Sequence, residues 1–279
     1  MEITLSELSE VKGIGKKTIQ RIREYKLADD GYISKYDENL HLDRNSVNQG
    51  DCLELMNGIP DKSVDMILAD LPYGTTACKW DSIIPLDKLW LQYERIIKDN
   101  GAIVLTASQP FTNTLISSNK NLFRYCWYWN KNYSVGFMNA NKMPLMSVEE
   151  VIIFYKKIPT YNPQGIKKIN KKQFRKKDKN TTVYNDMGLK EGNYIQQYTN
   201  YPNQVIKTNK ATKGKHPTQK PVALFGYLIK TYTNKGDLVL DNVAGSGTTG
   251  VACQNADRDY ILIEKEQKYI DVIKDRLES

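Results

Sequence analysis

A glycine-rich turn placed almost at the end of the chain constrains this fold more than any other feature. The run Asp241-Asn-Val-Ala-Gly-Ser-Gly-Thr-Thr-Gly250 follows the apolar Leu238-Val-Leu240 and precedes a helix-like segment over 248–256. Strand, glycine turn and helix in that order make a nucleotide-type cradle, because glycine lets the amides at a helix N-terminus approach a ligand closely. The spacing Gly245-x-Gly247-x-x-Gly250 has the form of a dinucleotide fingerprint. The next apolar run, Tyr260-Ile-Leu-Ile263, ends in Glu264, where a ribose-gripping carboxylate belongs. No Gly-Lys-Ser/Thr ending follows, so no lysine is set to reach a phosphate as in a P-loop. Fewer than about 35 residues remain after Gly245, space for one more strand and a helix, whereas a sheet built on such a turn needs several βα units. The other strands must come from earlier in the chain. The sheet is therefore expected to be circularly permuted, with its first strand near the C-terminus.

Those earlier strands are readable. Residues 46–50 run into Asp51 and a short helix, and 63–69 form an apolar run that ends at Asp70-Leu-Pro-Tyr-Gly74. An acid and an aromatic held by proline at the carboxyl end of a strand stand where open α/β sheets place their ligands. A helix is expected over about 86–98, then strands over 101–106, 123–129 and 148–155. From 156 to 215 aliphatic residues thin out and Lys, Asn, Gln, Tyr and Thr dominate without a period, the composition of a disordered basic loop. Tyr161, Tyr184, Tyr194, Tyr198 and Tyr201, interleaved with Lys and Asn, suit a surface that orders on nucleic acid. Lys171, Lys172 and Arg175 are its candidate contacts, and a plain solvated insertion is the alternative.

At the other end, Leu5, Leu8, Ile19 and Ile22 have helical spacing on either side of Gly13-Ile-Gly15. Residues 1–26 resemble a helix-hairpin-helix element, whose hairpin amides meet phosphate oxygens. Gly13, Gly15, Lys16 and Lys17 are the expected DNA contacts, and a hairpin that packs on protein is the alternative. Residues 27–44 read as a linker. The 279 residues, 40% hydrophobic, suffice for one α/β domain with appendages. A net charge of +8 favours a polyanionic partner. Cys52, Cys78, Cys126 and Cys253 are far apart, with only His41 and His216 to join them, so no metal site is expected. Reduced cysteines, no signal-like leader and no apolar run long enough to span a bilayer suggest a cytoplasmic protein that does not enter membranes.

Three motifs in order carry a family resemblance: Asp70-Leu-Pro-Tyr73 with Gly74, His216-Pro-Thr-Gln-Lys-Pro221, and Gly245-Ser-Gly247-Thr-Thr. Together they resemble the β-class amino-methyltransferases of DNA, the N6/N4 family. The resemblance implies an α/β, Rossmann-like domain over 45–279 with a mostly parallel seven-stranded sheet, S-adenosyl-L-methionine as cofactor, and a target-recognition insert at about 156–215. By position, Asp241, Ala244, Gly245, Ser246, Gly247, Thr248 and Thr249 border the methionine part of the cofactor. Glu264, with Lys265 beside it, holds the ribose, Asp51 and Cys52 flank the adenine, and Thr218 and Lys220 lie near the carboxylate. Asp70, which also borders the cofactor, is catalytic with Pro72 and Tyr73. Leu71 stands where the family more often has proline, and Asn242-Val243 where it usually has Pro-Phe, so cofactor packing differs there.

The chemistry suits those residues. The lone pair of an exocyclic amine is delocalised into its ring, so Asp70 and the Pro72 carbonyl, accepting one N–H each, would draw the nitrogen toward tetrahedral geometry. Tyr73 would stack on a base swung out of the duplex. The expected activity is methylation of adenine N6 in double-stranded DNA, with a homodimer and a cognate restriction endonuclease as further partners. The alternatives are transfer to cytosine N4, whose branch usually carries Ser where Asp70 stands, and a non-catalytic DNA-binding protein on the same fold. An NAD-dependent oxidoreductase is disfavoured by the permutation and by Asp-Leu-Pro-Tyr.

Overall fold

The computed structural model describes residues 35–74, 83–175, 191–208 and 219–278. The expected N-terminal hairpin, with Gly13, Gly15, Lys16 and Lys17, lies outside them, as do Cys78, His216 and Thr218. The described residues form two compact units, one within 1–162 and 204–279 and the other within Pro163–Asn203.

The larger unit is built on an eight-stranded sheet. In chain order its elements are β1 (Ser46–Gln49), α1 (Cys52–Leu55), β2 (Val64–Ala69), α2 (Leu86–Ile96), β3 (Ile97–Ala107), α3 (Phe111–Ser118), β4 (Phe123–Val135) and β5 (Met146–Phe154). The hairpin strands β6 (Lys167–Arg175) and β7 (Gly192–Thr199) belong to the second unit. The first resumes with β8 (Val205–Lys207), α4 (Val222–Tyr232), β9 (Leu238–Asp241), α5 (Thr248–Gln254), β10 (Asp259–Glu264) and α6 (Gln267–Leu277). The order across the sheet is β1-β10-β9-β2-β3-β5-β4-β8. Seven strands run in one direction and β5 alone runs against them.

The permutation read from the sequence is thus present: β9 and β10, the last strands of the chain, lie between β1 and β2. β2 and β9 are central and parallel, which explains the apolar runs 66–69 and 238–240 within them. A strand covered by helices on both faces has no solvent side and so no alternation. Met66, Ile67, Leu68 and Ala69 are fully buried, and alternate positions serve opposite layers. Ile67 and Ala69 pack with Trp90, Tyr93, Phe111 and Leu115 of α2 and α3. Met66 and Leu68 pack with Leu224, Leu228, Cys253 and Ile273 of α4, α5 and α6. Each such aliphatic side chain taken out of water stabilises the fold by about 1.5–3 kcal/mol.

Several boundaries differ from expectation. α2 stops at Ile96 because Ile97 is already buried in β3, opposite Val64, and Lys98 turns to Asp65 at 2.6 Å. β4 continues past Trp129 to Val135, because its pairing with β5 resumes at Val135 and Met146 beyond an irregular stretch. The basic segment, whose composition is that of a disordered loop and which is expected to order on nucleic acid, contains a regular antiparallel hairpin, β6 with β7. It also contains β8, which pairs with β4 and makes the sheet eight-stranded rather than seven. Backbone pairing does not require an apolar period, so composition conceals such strands. No residue of β6 or β7 is buried, and Phe174 and Ile195 are exposed.

Candidate active site and cofactor cradle

Open α/β sheets bind ligands beyond the carboxyl ends of their strands, where the order reverses. Here that point lies between β9 and β2, paired through Met66 with Val239 and Ile67 with Leu240. The register brings Asp70, just past β2, beside Asp241 at the end of β9. Two motifs more than half the chain apart in sequence thereby share one edge.

The glycine turn is held from three sides. Gly245 and Gly247 have φ of 53° and 77°, a region that favours glycine. A methyl on Gly247 would come within 3.0 Å of Ile273 Cγ1 and Cγ2. Ser246 Oγ donates to Gln219 Oε1 at 3.1 Å and Thr248 Oγ1 to the Lys220 carbonyl at 3.3 Å, which ties the segment before α4 to the turn. Arg276 Nη1 donates to Ser246 Oγ at 3.0 Å. Ala244 N–H donates to the Ile263 carbonyl at 2.9 Å.

Asp241 is buried, accepting from the Thr249 hydroxyl and from Val243 N–H at 3.1 Å. Burial pushes its carboxyl up to about 7, against the pull of those hydrogen bonds. Glu264, at the end of β10 and 9% exposed, accepts from Gly245 N–H at 2.8 Å and Glu266 N–H at 2.9 Å. Burial raises its carboxyl too, with the same kind of opposition. Asp51 caps α1 through Leu53 N–H at 2.9 Å, and Lys265 Nζ lies 3.5 Å from its carboxylate. Cys52 is buried, and burial pushes its thiol up to about 11, so it is no nucleophile. The Asn242 carboxamide turns inward beside Cys52 and accepts from the Tyr93 hydroxyl at 2.5 Å. Asn242 therefore serves the core, which proline at this position could not do with a side-chain amide.

These residues suit S-adenosyl-L-methionine. Two buried carboxylates at the ends of β9 and β10 fit a ligand with paired hydroxyls and a positive charge.

Asp70 is the most heavily engaged group at this edge. Its Oδ1 accepts from the Tyr73 hydroxyl at 2.8 Å and from the Thr106 hydroxyl, and its Oδ2 lies 3.1 Å from Lys220 Nζ. Tyr73 stacks on Phe111, centroids 5.3 Å apart at 24°. Burial, reinforced by the Asp70 charge, holds the Tyr73 hydroxyl well above its ordinary range, so it donates its proton in a bond without losing it. Lys220 does reach the site, but its ammonium meets Asp70 and Glu149. Burial alone would lower it, yet the charges of Asp70 and Glu149 raise it well above the usual lysine range. Thr106, Phe111 and Glu149 escaped sequence reasoning. The only local sign of Thr106 was a polar residue closing an apolar run. In the second unit, Arg175 lies over the Tyr194 ring at 4.8 Å, while Lys171 and Lys172 project exposed from β6.

The N6/N4 DNA methylase family model matches residues 64–275. The type II methyltransferase M2.MboI of Moraxella bovis is 29% identical over 276 residues, covering 88% of this chain and 90% of that protein. The crystal structure of the M1.HpyAVI–SAM complex superposes with a TM-score of 0.58 at 25% identity, over 83% of this chain and 99% of that one. The cytosine-N4-specific PvuII DNA methyltransferase shares the fold at a TM-score of 0.60 and 18% identity, over 85% and 87% of the two chains. The acid and aromatic after β2, the glycine turn after β9 and these likenesses agree, and the chain belongs to the DNA methylase family, as a DNA methyltransferase that uses S-adenosyl-L-methionine.

Proposed function

We propose that this protein methylates the N6 amine of adenine in duplex DNA, with Asp70 as the acceptor that orients the amine. The observation that carries the reading is the Asp70 carboxylate, fixed at the ligand edge by Tyr73, Thr106 and Lys220. An aspartate here also matches the adenine side of the resemblance, whereas the cytosine-N4 branch usually has serine. The fold itself is neutral, since a cytosine-N4-specific enzyme shares it.

When bound, S-adenosyl-L-methionine supplies an electrophilic methyl group on a sulfonium. The protein's part is to orient, stack and exclude water. Both lone-pair directions of Asp70 Oδ1 are taken by Tyr73 and Thr106. Oδ2 meets Lys220 and keeps one direction for an incoming amine, and Oδ1 becomes available where the Tyr73 hydroxyl is displaced from it. The displaced ring, still beside Phe111, offers its face to the flipped base. The Pro72 carbonyl takes the second N–H. Around the cofactor, Glu264 receives the ribose hydroxyls with Lys265 beside it, Asp51 and Cys52 border the adenine, and the turn from Asp241 to Thr249 borders the methionine. Thr218 and the segment carrying Lys220 close the carboxylate end. The Pro163–Asn203 unit, with Lys171, Lys172 and Arg175, reads the target, and the N-terminal hairpin adds phosphate contacts. A homodimer and a partner endonuclease belong to the same reading.

Digesting DNA methylated by the protein and identifying the modified nucleoside tests the choice of base. N6-methyldeoxyadenosine is expected, and N4-methyldeoxycytidine would overturn the reading.

A further inference from the structure

Asp70 is the end of a longer construction. Lys220 Nζ lies 3.1 Å from Asp70 Oδ2 and 2.9 Å from Glu149 Oε2, and Glu149 Oε1 lies 3.1 Å from Lys131 Nζ. Four charges alternate in sign from β4 through β5 to the end of β2. Lys131, Glu149 and Lys220 have side-chain exposures of 6%, 15% and 9%. Burial alone would raise the Glu149 carboxyl, but Lys220 and Lys131 hold it below the usual range, so it stays ionised.

We propose that Glu149 is a positioning residue for methyl transfer, acting through Lys220 on Asp70. The proposal rests on the reading of Asp70 as the amine's acceptor. Stability is a poor reason for the arrangement, because a buried ion pair rarely outperforms apolar packing of the same volume. The next residues on the same face of β5, Val151 and Ile153, are buried and apolar, so apolar packing was open to this position.

Two effects follow from the geometry. First, Glu149 is nearer to Lys220 than Asp70 is, so the ammonium is gripped from two sides. Its charge is shared, and Asp70 keeps acceptor strength for the amine while its carboxylate plane stays fixed. Second, the local charge matters as the reaction proceeds. The amine's lone pair forms the new N–C bond and the S–C bond breaks with its electron pair left on sulfur. The nitrogen then gives up a proton, to Asp70 and from there to water. Positive charge thus grows on the nitrogen, a few ångströms from Lys220. With Glu149 ionised, the four charges sum to zero. Without it, an uncompensated ammonium opposes that growth in a water-poor site.

The test uses the full-length protein and a duplex carrying its target sequence. E149Q, K220M, the double variant and D70N are compared by single-turnover methyl transfer at saturating enzyme and cofactor, with cofactor Kd from calorimetry and Tm alongside. E149Q is expected to slow transfer by about tenfold or more while cofactor Kd stays within about twofold. The double variant should be no slower than K220M, because a residue that acts only through Lys220 adds nothing once Lys220 is gone. A lowered Tm with an unchanged rate would make Glu149 a structural partner only and overturn the proposal. Losses that multiply in the double variant would overturn the route through Lys220. If E149Q does not fold, E149D keeps the charge while withdrawing it from Lys220, and a wild-type rate for E149D would equally sink the idea. An active D70N would strike the reading of Asp70 instead, whereas an inactive D70N with a fully active E149Q strikes this proposal alone.

Discussion

Glu264→Gln probes the cofactor cradle with a nearly isosteric change. The native carboxylate gives one oxygen to Gly245 N–H at 2.8 Å and the other to Glu266 N–H at 2.9 Å. Lys265 N–H adds a third backbone bond to the carboxylate, and the lone-pair direction that remains is left for a ribose hydroxyl. Glutamine has a single acceptor oxygen, so one backbone N–H must face an amide NH2, and one hydroxyl loses a charged acceptor. Hydrogen bonds to a charged group contribute about 1.5–3 kcal/mol each. The fold should lose about that much through the glycine turn, and cofactor affinity a similar amount, about 10- to 150-fold in Kd. Titration calorimetry gives the Kd and thermal melting the stability. The pH dependence adds an independent check. Burial raises the Glu264 carboxyl, and the ionised form is the one that accepts hydroxyls. Wild-type affinity should therefore fall on acidification through that raised value, while the Glu264→Gln variant, with nothing to titrate there, should show a flatter profile. A variant that binds cofactor with the wild-type Kd would refute the placement of the ribose at the end of β10.

Asp241→Asn should alter stability with a defined sign. The folded carboxyl is raised from 3.8 to about 7, so its stabilising contribution is complete below about pH 4 and is lost as pH rises to about 7. Asparagine, able to accept from Val243 N–H and to donate to the Thr249 hydroxyl oxygen, should gain on wild type by up to a few kcal/mol across that window, as read by denaturant unfolding at several pH values; a constant difference would contradict the assignment. Gly247→Ala combines φ of 77° with a methyl 3.0 Å from Ile273. It should cost about 1–2 kcal/mol from the backbone alone and weaken cofactor binding, with Ile273→Ala, which removes both Cγ atoms, relieving the contact at the turn; full cofactor affinity in the single variant would speak against a precise turn geometry being needed here. Tyr73→Phe removes the bond to Asp70 but keeps the stack on Phe111, so turnover should survive and the KM for DNA should not rise. A loss of turnover as deep as that of Asp70→Asn would mean that the hydroxyl itself takes part in transfer.

What was legible in the sequence is what backbone geometry demands locally. The glycine turn could be read because glycine adopts its positive φ without strain, the strand before Asp70 because its doubly covered half, 66–69, is an apolar run, and the permutation because too little chain follows Gly245 to build a sheet. The strands of the basic segment were hidden for the opposite reason. Lys167–Arg175 and Gly192–Thr199 pair through main-chain bonds with both faces exposed, so no burial pattern marks them. Lys220 was placed at the site by its motif, but the partner of its ammonium was invisible, since Glu149 lies 71 residues earlier and meets it only through tertiary structure.

Strand register decides which acid reaches Lys220. Glu149 and Glu150 are adjacent and chemically equal, and in a strand they must point to opposite faces. β5 pairs Glu149 with Trp129 and Glu150 with Tyr128. That register sends Glu149 to the α4 side, with Val151 and Ile153, where Lys131 and Lys220 wait. Glu150 goes to the α2–α3 side, with Ile152 and Phe154, where Thr112 donates to it at 3.2 Å. A slip of one residue would exchange the two faces of the whole strand and drive Ile152 and Phe154 out of one layer into the other. The aliphatic half of β5 thus specifies the position of its charged end, and the packing of the core determines which carboxylate lies beside Lys220.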